Sequence, residues 1–162
     1  MRYPAAKVKS REQIRRLADQ FHSEGKTIVH TNGCFDVLHI GHIYSLNEAR
    51  SLGDLLIVSL NSDESVRRLK GPKRPVFPQE ERAVVLGALE CVDYVTIFEE
   101  DTPEPLLELL RPDVLVKGGT TPVIVGREFV EGYGGKVLNV GLIEGLSTSE
   151  IINRILNSHD AP

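Results

Sequence analysis

The chain has 162 residues, of which 41% are hydrophobic and 26% charged, with a formal net charge of −4. That mixture fits one folded domain with a real core and excludes a disordered chain. The acidic balance argues against nonspecific nucleic-acid binding, although a local phosphate site stays open to an acidic protein.

In chain order, Ser10-Arg11-Glu12-Gln13 has the form of a capping box, and Ile14, Leu17, Ala18 and Phe21 follow on one helical face until Gly25. Thr27 to His30 is a short apolar run of strand type. Ile43 to Ser51, stopped by Gly53, is helical. Leu55 to Leu60 is the second strand-like run and leads into Asn61-Ser62-Asp63. The stretch "RRLKGPKRPV" then gathers Arg67, Arg68, Lys70, Lys73 and Arg74, and its glycine and prolines make the second half a loop.

Gln79 to Leu89 is helical, Tyr94 to Phe98 is strand-like, and Pro103 to Leu110 is helical before Arg111-Pro112. Val114 to Val116 and Lys136 to Val140 are the last apolar runs, with a weaker helix over Val123 to Glu131 between them. Ser147-Thr148-Ser149-Glu150 is a second capping box, and its helix is expected to bury Ile151, Ile152, Ile155 and Leu156. Residues 158–162 read as a frayed tail.

Runs rich in Val, Ile and Leu with little alternation suit strands buried on both faces. Alternation with helices implies βαβ units. The expected fold is therefore α/β, a doubly wound five-stranded parallel sheet with helices on both faces. In such sheets ligands sit beyond the carboxyl ends of the strands. Those ends carry Thr31 to Asp36 with His39 and His42, then Asn61-Ser62-Asp63, Glu99-Glu100-Asp101, Lys117-Gly118-Gly119, and Gly145-Leu146-Ser147-Thr148.

His39 and His42 would lie one turn apart if a helix starts near Ile40, and Gly41 lets a ligand approach the backbone between them. Two imidazole donors at a helix start make an anion site, suited to a phosphorus that gains charge under attack. Two polar histidines satisfied at a helix start are the alternative on the residues alone. A zinc pair lacks a third ligand at the usual spacing. The hydroxyls of Ser147, Thr148 and Ser149 cap a helix and also suit phosphate oxygens. The basic run reads either as a solvated loop or as a flexible phosphate clamp. Lys117 ends a strand and points to the expected crevice. Neither GxGxxG nor GxxxxGK[ST] is present.

Cys34 and Cys91 are far apart and read as free thiols of a reducing compartment. Cys34 sits at the mouth of the expected site, where it reads either as a reactive thiol or, more simply, as a small packing residue. No run reaches the length of a membrane span, and Met1-Arg2-Tyr3-Pro4 does not open a signal peptide. A soluble cytoplasmic protein is expected.

Together, "TNGCFDVLHIGH" and "GLSTS" resemble the HxGH nucleotidyltransferases of the cytidylyltransferase type. "NSDESVRRLKG", "RPV", "LGALECVDYV", "FEEDTP" and "PDVLVKGG" are similar to the branch of that family that adenylylates a heptose 1-phosphate. The resemblance implies a Rossmann-like domain over residues 26–157, preceded by a helical extension over residues 1–25. It implies AMP transfer from ATP to D-glycero-β-D-manno-heptose 1-phosphate, with Mg²⁺ bound to the triphosphate.

The resemblance also assigns roles to residues. His39, His42 and Lys70 would act on the reacting phosphates. Cys34, Phe35, Gly41, Lys117, Gly118, Gly119, Ser147, Thr148 and Ser149 would bind the nucleotide. Asp36, Lys70 and Arg82 would serve the acceptor, with Asp36 helping to place it or the metal. A separate heptose kinase is the implied functional partner, and homodimers are common in the family. No nucleic acid or membrane partner is expected.

Two departures bear on substrate. Thr120-Thr121-Pro122 stands where heptose enzymes usually place aspartate after Lys-Gly-Gly, and Leu142-Ile143 replaces the Arg-Thr of lipid-precursor cytidylyltransferases. The alternatives are a CTP-dependent cytidylyltransferase acting on glycerol 3-phosphate or a similar alcohol phosphate, and a nucleotide-binding module without turnover. A class I aminoacyl-tRNA synthetase fragment also fits "HIGH" but lacks a second lysine signature and a basic RNA face.

Overall fold

The computed structural model describes residues 3–119, 123–141 and 147–159. A 3-10 turn, Pro4–Lys7, precedes α1 (Arg11–Ser23), β1 (Ile28–Gly33), α2 (Ile40–Arg50), β2 (Leu55–Asn61), α3 (Asp63–Lys70) and α4 (Gln79–Gly87). The rest comprises β3 (Tyr94–Phe98), α5 (Glu104–Leu110), β4 (Val114–Gly118), α6 (Arg127–Gly132), β5 (Lys136–Val140) and α7 (Thr148–His159).

The five strands form one sheet in the order β3-β2-β1-β4-β5. Every neighbouring pair is parallel. The expected α/β architecture is therefore the one observed. Strand β2 is buried along its whole length, which is why its sequence shows no polar alternation.

Alternate residues serve opposite faces. Val29, Leu56, Val58, Leu60 and Val95 pack with Leu46 and Ala49 of α2 and Ala83 and Leu86 of α4. Ile28, Ile57, Tyr94 and Phe98 pack with Ile14 and Ala18 of α1 and Leu106 and Leu110 of α5. Leu115 and Val137 continue that second face under Leu107 and Val130.

The chain leaves β1 toward β2 and β3, then crosses back to β4 on the other side of β1. That reversal opens a crevice between the carboxyl ends of β1 and β4, the place where such sheets bind ligands. The first helix begins as its capping box requires. Ser10 Oγ accepts from the Gln13 amide at 3.2 Å, and Gln13 Oε1 accepts from the Ser10 amide at 2.9 Å.

Four expectations about elements are corrected. Residues 63–70 form helix α3, so Lys70 is the last residue of a helix and not part of a flexible run. Ser62 caps it by accepting from the Ser65 amide at 3.2 Å. Helix α2 begins at Ile40, earlier than its apolar residues indicate. Helix α6 starts only at Arg127, because Gly126 has φ +89 and breaks any helix through 123–126. A Cβ at Gly126 would also sit 2.1 Å from Leu107 Cδ1. Finally, α7 leaves Ile155 and Leu156 exposed, at 52% and 59%. No helix among the described residues is long and apolar enough to cross a membrane.

Candidate active site

The site grows from the turn after β1. Phe35 adopts φ +43, a backbone region that bulky residues rarely enter and hold only when packing dictates it. The cause is visible on both sides of the ring. It packs 5.3 Å from the His42 ring, and it lies so close to Gly33 that a Cβ there would meet it at 3.2 Å.

His39 is the extended residue that starts α2, with φ −142, and His42 follows in the first turn. Their rings stack with centroids 3.8 Å apart. The His39 amide donates to His42 Nδ1 at 3.4 Å, so the ring hydrogen of neutral His42 belongs on Nε2. Burial, with the neighbouring His39 ring second, lowers the His42 pKa to about 4. Burial also lowers that of His39. Both rings are therefore neutral near pH 7, and each can donate one hydrogen bond.

A cleft of about 650 Å³ joins this pair to the other strand ends. His39, Gly41 and His42 line it together with Ser147, Thr148 and Ser149. Cys34, Phe35, Asp36, Lys70, Lys117, Gly118 and Gly119 line it as well. The two distant motifs thus share one cavity. Ser147 Oγ accepts from the Glu150 amide at 3.2 Å, which caps α7. Thr148 Oγ1 donates to the Val37 carbonyl at 3.3 Å and ties that helix to the histidine turn. Gly145 and Leu146, expected in the same cradle, lie outside the described residues, as do Thr120, Thr121, Pro122, Leu142 and Ile143.

Positive charge converges on the cleft of this acidic protein. Lys70, Arg82, Lys117 and Arg74 all act on the Cys34 thiol, yet burial outweighs them and its pKa is raised. Cys34 is therefore a protonated thiol at neutral pH, in keeping with a packing role. Lys117 Nζ donates to the Asn32 carbonyl at 3.2 Å, and burial lowers its pKa. Lys70 makes no ion pair among the described residues and is exposed at the rim.

Two expected acceptor contacts are placed otherwise. Arg82 does not line the cleft, because all its nitrogens are used inside the protein. Nη1 donates to the Cys34 carbonyl (2.5 Å), Nη2 to Asp63 Oδ1 (2.6 Å) and Nε to the Phe77 carbonyl (2.9 Å). Asp36 borders the cleft, but its carboxylate accepts from the Val76 amide at 2.6 Å, the Phe77 amide at 3.3 Å and Arg74 Nε. Among the described residues no group of three His, Cys, Asp or Glu side chains could hold a metal ion.

Asn61, expected at the end of β2, lines the cleft too. Other lining residues were not singled out from sequence: Val123, Ile124 and Val125 give an apolar wall, and Ser45 gives a polar one. Ser45 Oγ lies 3.0 Å from the Gly41 carbonyl and 2.8 Å from that of Gly141. The backbone there is so close that a Cβ at Gly141 would meet Ser45 Cα at 2.8 Å.

The family model described as cytidylyltransferase-like matches residues 30–154. The chain belongs to the cytidylyltransferase-like family. The matched span includes the histidine turn, the Lys117 strand end and the start of α7.

Relatives outside that model agree. The chain is 54% identical over 156 residues to the bifunctional protein HldE of Geobacter sulfurreducens, covering 95% of this chain and 32% of that protein. It is 52% identical over 157 residues to the bifunctional protein HldE of Syntrophotalea carbinolica, covering 96% of this chain and 32% of that protein. The chain thus spans about a third of the length of these curated relatives.

Among solved structures it resembles the lipopolysaccharide core biosynthesis protein of Thermoplasma volcanium, with a TM-score of 0.65 and 27% identity. That match covers 74% of this chain and 100% of the other. The pantoate-beta-alanine ligase of Francisella tularensis shares the fold, with a TM-score of 0.60 at 16% identity over 96% of this chain and 79% of the other.

In a cytidylyltransferase-like chain this cleft has the parts that phosphorus chemistry needs. It offers neutral donors at a helix start, a second helix start bearing hydroxyls, and lysines that form no ion pair among the described residues. Such donors help where negative charge develops, provided they are already in place.

Proposed function

We propose that the chain is a nucleotidyltransferase that moves AMP from ATP to a sugar phosphate, D-glycero-β-D-manno-heptose 1-phosphate, giving ADP-heptose and pyrophosphate. The observation that carries this reading is the single cleft shared by the stacked His39–His42 pair and Ser147, Thr148 and Ser149. The choice of ATP and heptose phosphate rests on the similarity to the HldE proteins, taken together with the sequence motifs noted above.

An oxygen of the acceptor phosphate attacks the α-phosphorus of ATP. A new O–P bond forms as the bond to the β-phosphate bridging oxygen breaks, and pyrophosphate leaves with that electron pair. The attacking phosphate is already an anion, so no general base is required. His42 Nε2–H and His39 donate to the α-phosphate oxygens as charge builds on them. Lys70, at the cleft rim, and Ser147 to Ser149 hold the triphosphate tail. Lys117, with Gly118 and Gly119, sits where the nucleoside or the acceptor enters.

Mg²⁺ would come with ATP and neutralise triphosphate charge, since no group of three His, Cys, Asp or Glu side chains among the described residues could hold it. The carboxylate on the histidine turn, Asp36, is already committed to Arg74 and two amides.

The deciding experiment is a screen of pyrophosphate release across nucleotides and acceptors. ATP with the heptose phosphate and Mg²⁺ should be the productive mixture. Release from CTP with glycerol 3-phosphate, and none from the first mixture, would overturn the substrate choice. ATP binding with no product from any acceptor would make the chain a binding module.

A further inference from the structure

We propose that Arg74 is a phosphate-binding residue of this cleft, set in place by Asp36 as a ready-made fork for a substrate's phosphate oxygens. The proposal rests on the phosphate-transfer reading above and singles out, from the basic run that read as either a solvated loop or a flexible phosphate clamp, a residue to which the resemblance gave no role. The basic run contains five cationic side chains, yet only Lys70 and Arg74 line the cleft. Arg68 does not line the cleft and is held by Asp101, at the cleft wall, and by the Glu99 carbonyl, at 2.7 and 2.5 Å.

Arg74 is held in an unusual way. Its Nε donates to Asp36 Oδ2, and the side chains are only 16% and 1% exposed. Asp36 is itself fixed, because its other oxygen takes the amides of Val76 and Phe77. The ion pair therefore uses one donor of the guanidinium and leaves Nη1 and Nη2 without a partner among the described residues. Arg82 offers the contrast, since its three nitrogens are all spent on protein acceptors.

A guanidinium has five N–H donors in a plane, so four have no acceptor among the described residues. Anchoring through Nε removes much of the rotamer freedom that a free arginine would lose on binding. A fork so fixed matches two oxygens of a phosphate group, whereas a carboxylate partner is already supplied from below. The ligand chemistry is thus a phosphate oxyanion, from either the triphosphate or the acceptor. Asp36 acts through Arg74 as a positioning residue.

Inorganic phosphate and pyrophosphate, titrated by calorimetry, test this without requiring turnover. Arg74→Gln should weaken the tighter of the two ions by about 10-fold or more, as loss of a charge-assisted fork does. Arg74→Lys keeps the charge without the fork and should show a comparable loss. Asp36→Asn keeps an oxygen for the two amides but sets an N–H₂ group against Nε, so it should weaken binding in the same direction. Adding it to Arg74→Gln should cost no further affinity, because the two residues act as one unit.

Steady-state kinetics separates the sources. A KM increase confined to ATP assigns Arg74 to the triphosphate, and one confined to the sugar phosphate assigns it to the acceptor. Binding by folded Arg74→Gln within twofold of the native protein overturns the proposal. Should that variant fail to fold, the same result with Arg74→Lys overturns it, as does a native protein that binds neither ion. Weakened ion binding in a protein with no turnover keeps Arg74 and removes the transferase reading. Full turnover with unaltered binding does the reverse.

Discussion

Around His42, the backbone decides which proton the side chain can offer. The His39 amide occupies Nδ1, and the low pKa keeps the ring neutral, so Nε2–H is the donor available to a ligand. His42→Ala should therefore lower turnover by about 100-fold or more with the fold intact, as removal of a preorganised donor does. Pyrophosphate release beside a far-ultraviolet circular dichroism spectrum checks both halves of that statement. The spacing of the two histidines was legible in sequence, because i and i+3 positions share a helix face. Their neutrality was not, since it follows from burial and, for His42, from the His39 ring beside it.

His30 is fully buried, with Nε2 2.7 Å from Ser59 Oγ, and burial followed by the charge of Lys117 lowers its pKa to about 3. The native state thus holds it neutral, while the unfolded chain takes up a proton below the ordinary value near 6.5. Stability from this source is complete above pH 6.5 and is lost as pH falls toward 3. Between pH 7 and 5 it should cost about 2 kcal/mol. Urea unfolding at the two pH values measures the loss, and His30→Gln should show a smaller difference between them.

At the level of elements, α3 was the helix the sequence hid. Val66 is its buried apolar residue and Leu69 is exposed, so no apolar stripe marks it. Its signals are the Ser62 cap, Asp63 and Glu64 in the first turn, and Arg67, Arg68 and Lys70 in the last, all favourable to the helix dipole. Ser62→Ala should lower stability by about 1 kcal/mol, read from denaturant midpoints. Because α3 carries Lys70, a rise in KM for ATP should accompany it.

Helix α7 failed in the opposite sense. Its apolar spacing was clear, but spacing alone does not say that a core lies opposite, and Ile155 and Leu156 face outward. Asp36 and Arg82 show the same gap for charged groups. Motif position points both to the site. Asp36 does border the cleft, with its carboxylate committed to Arg74, Val76 and Phe77, whereas Arg82 is spent inside the protein on Cys34, Phe77 and Asp63.

Across the whole molecule, the sheet was readable because buried parallel strands leave continuous apolar runs. The rule that ligands gather at strand ends then named most of the cleft. The amino-terminal residues were less readable. Lys9 donates its amide to the Val95 carbonyl at 2.8 Å, and Val8 bridges to Val95, so this segment covers the outer edge of β3. Lys7 Nζ binds the carbonyls of Leu89 (2.9 Å) and Val92 (2.6 Å) beyond α4. Removing residues 1–9 should expose that edge, lower the melting temperature and promote association, which scanning calorimetry with light scattering would detect.

Cys34 has a practical consequence for anyone designing covalent ligands. Its sulfur borders the cleft, but burial keeps it in the sluggish thiol form despite four nearby cations. A polyphosphate would cancel part of that positive field and leave the sulfur still less nucleophilic. An electrophile aimed there gains most from a neutral carrier, one that leaves the cationic field uncompensated.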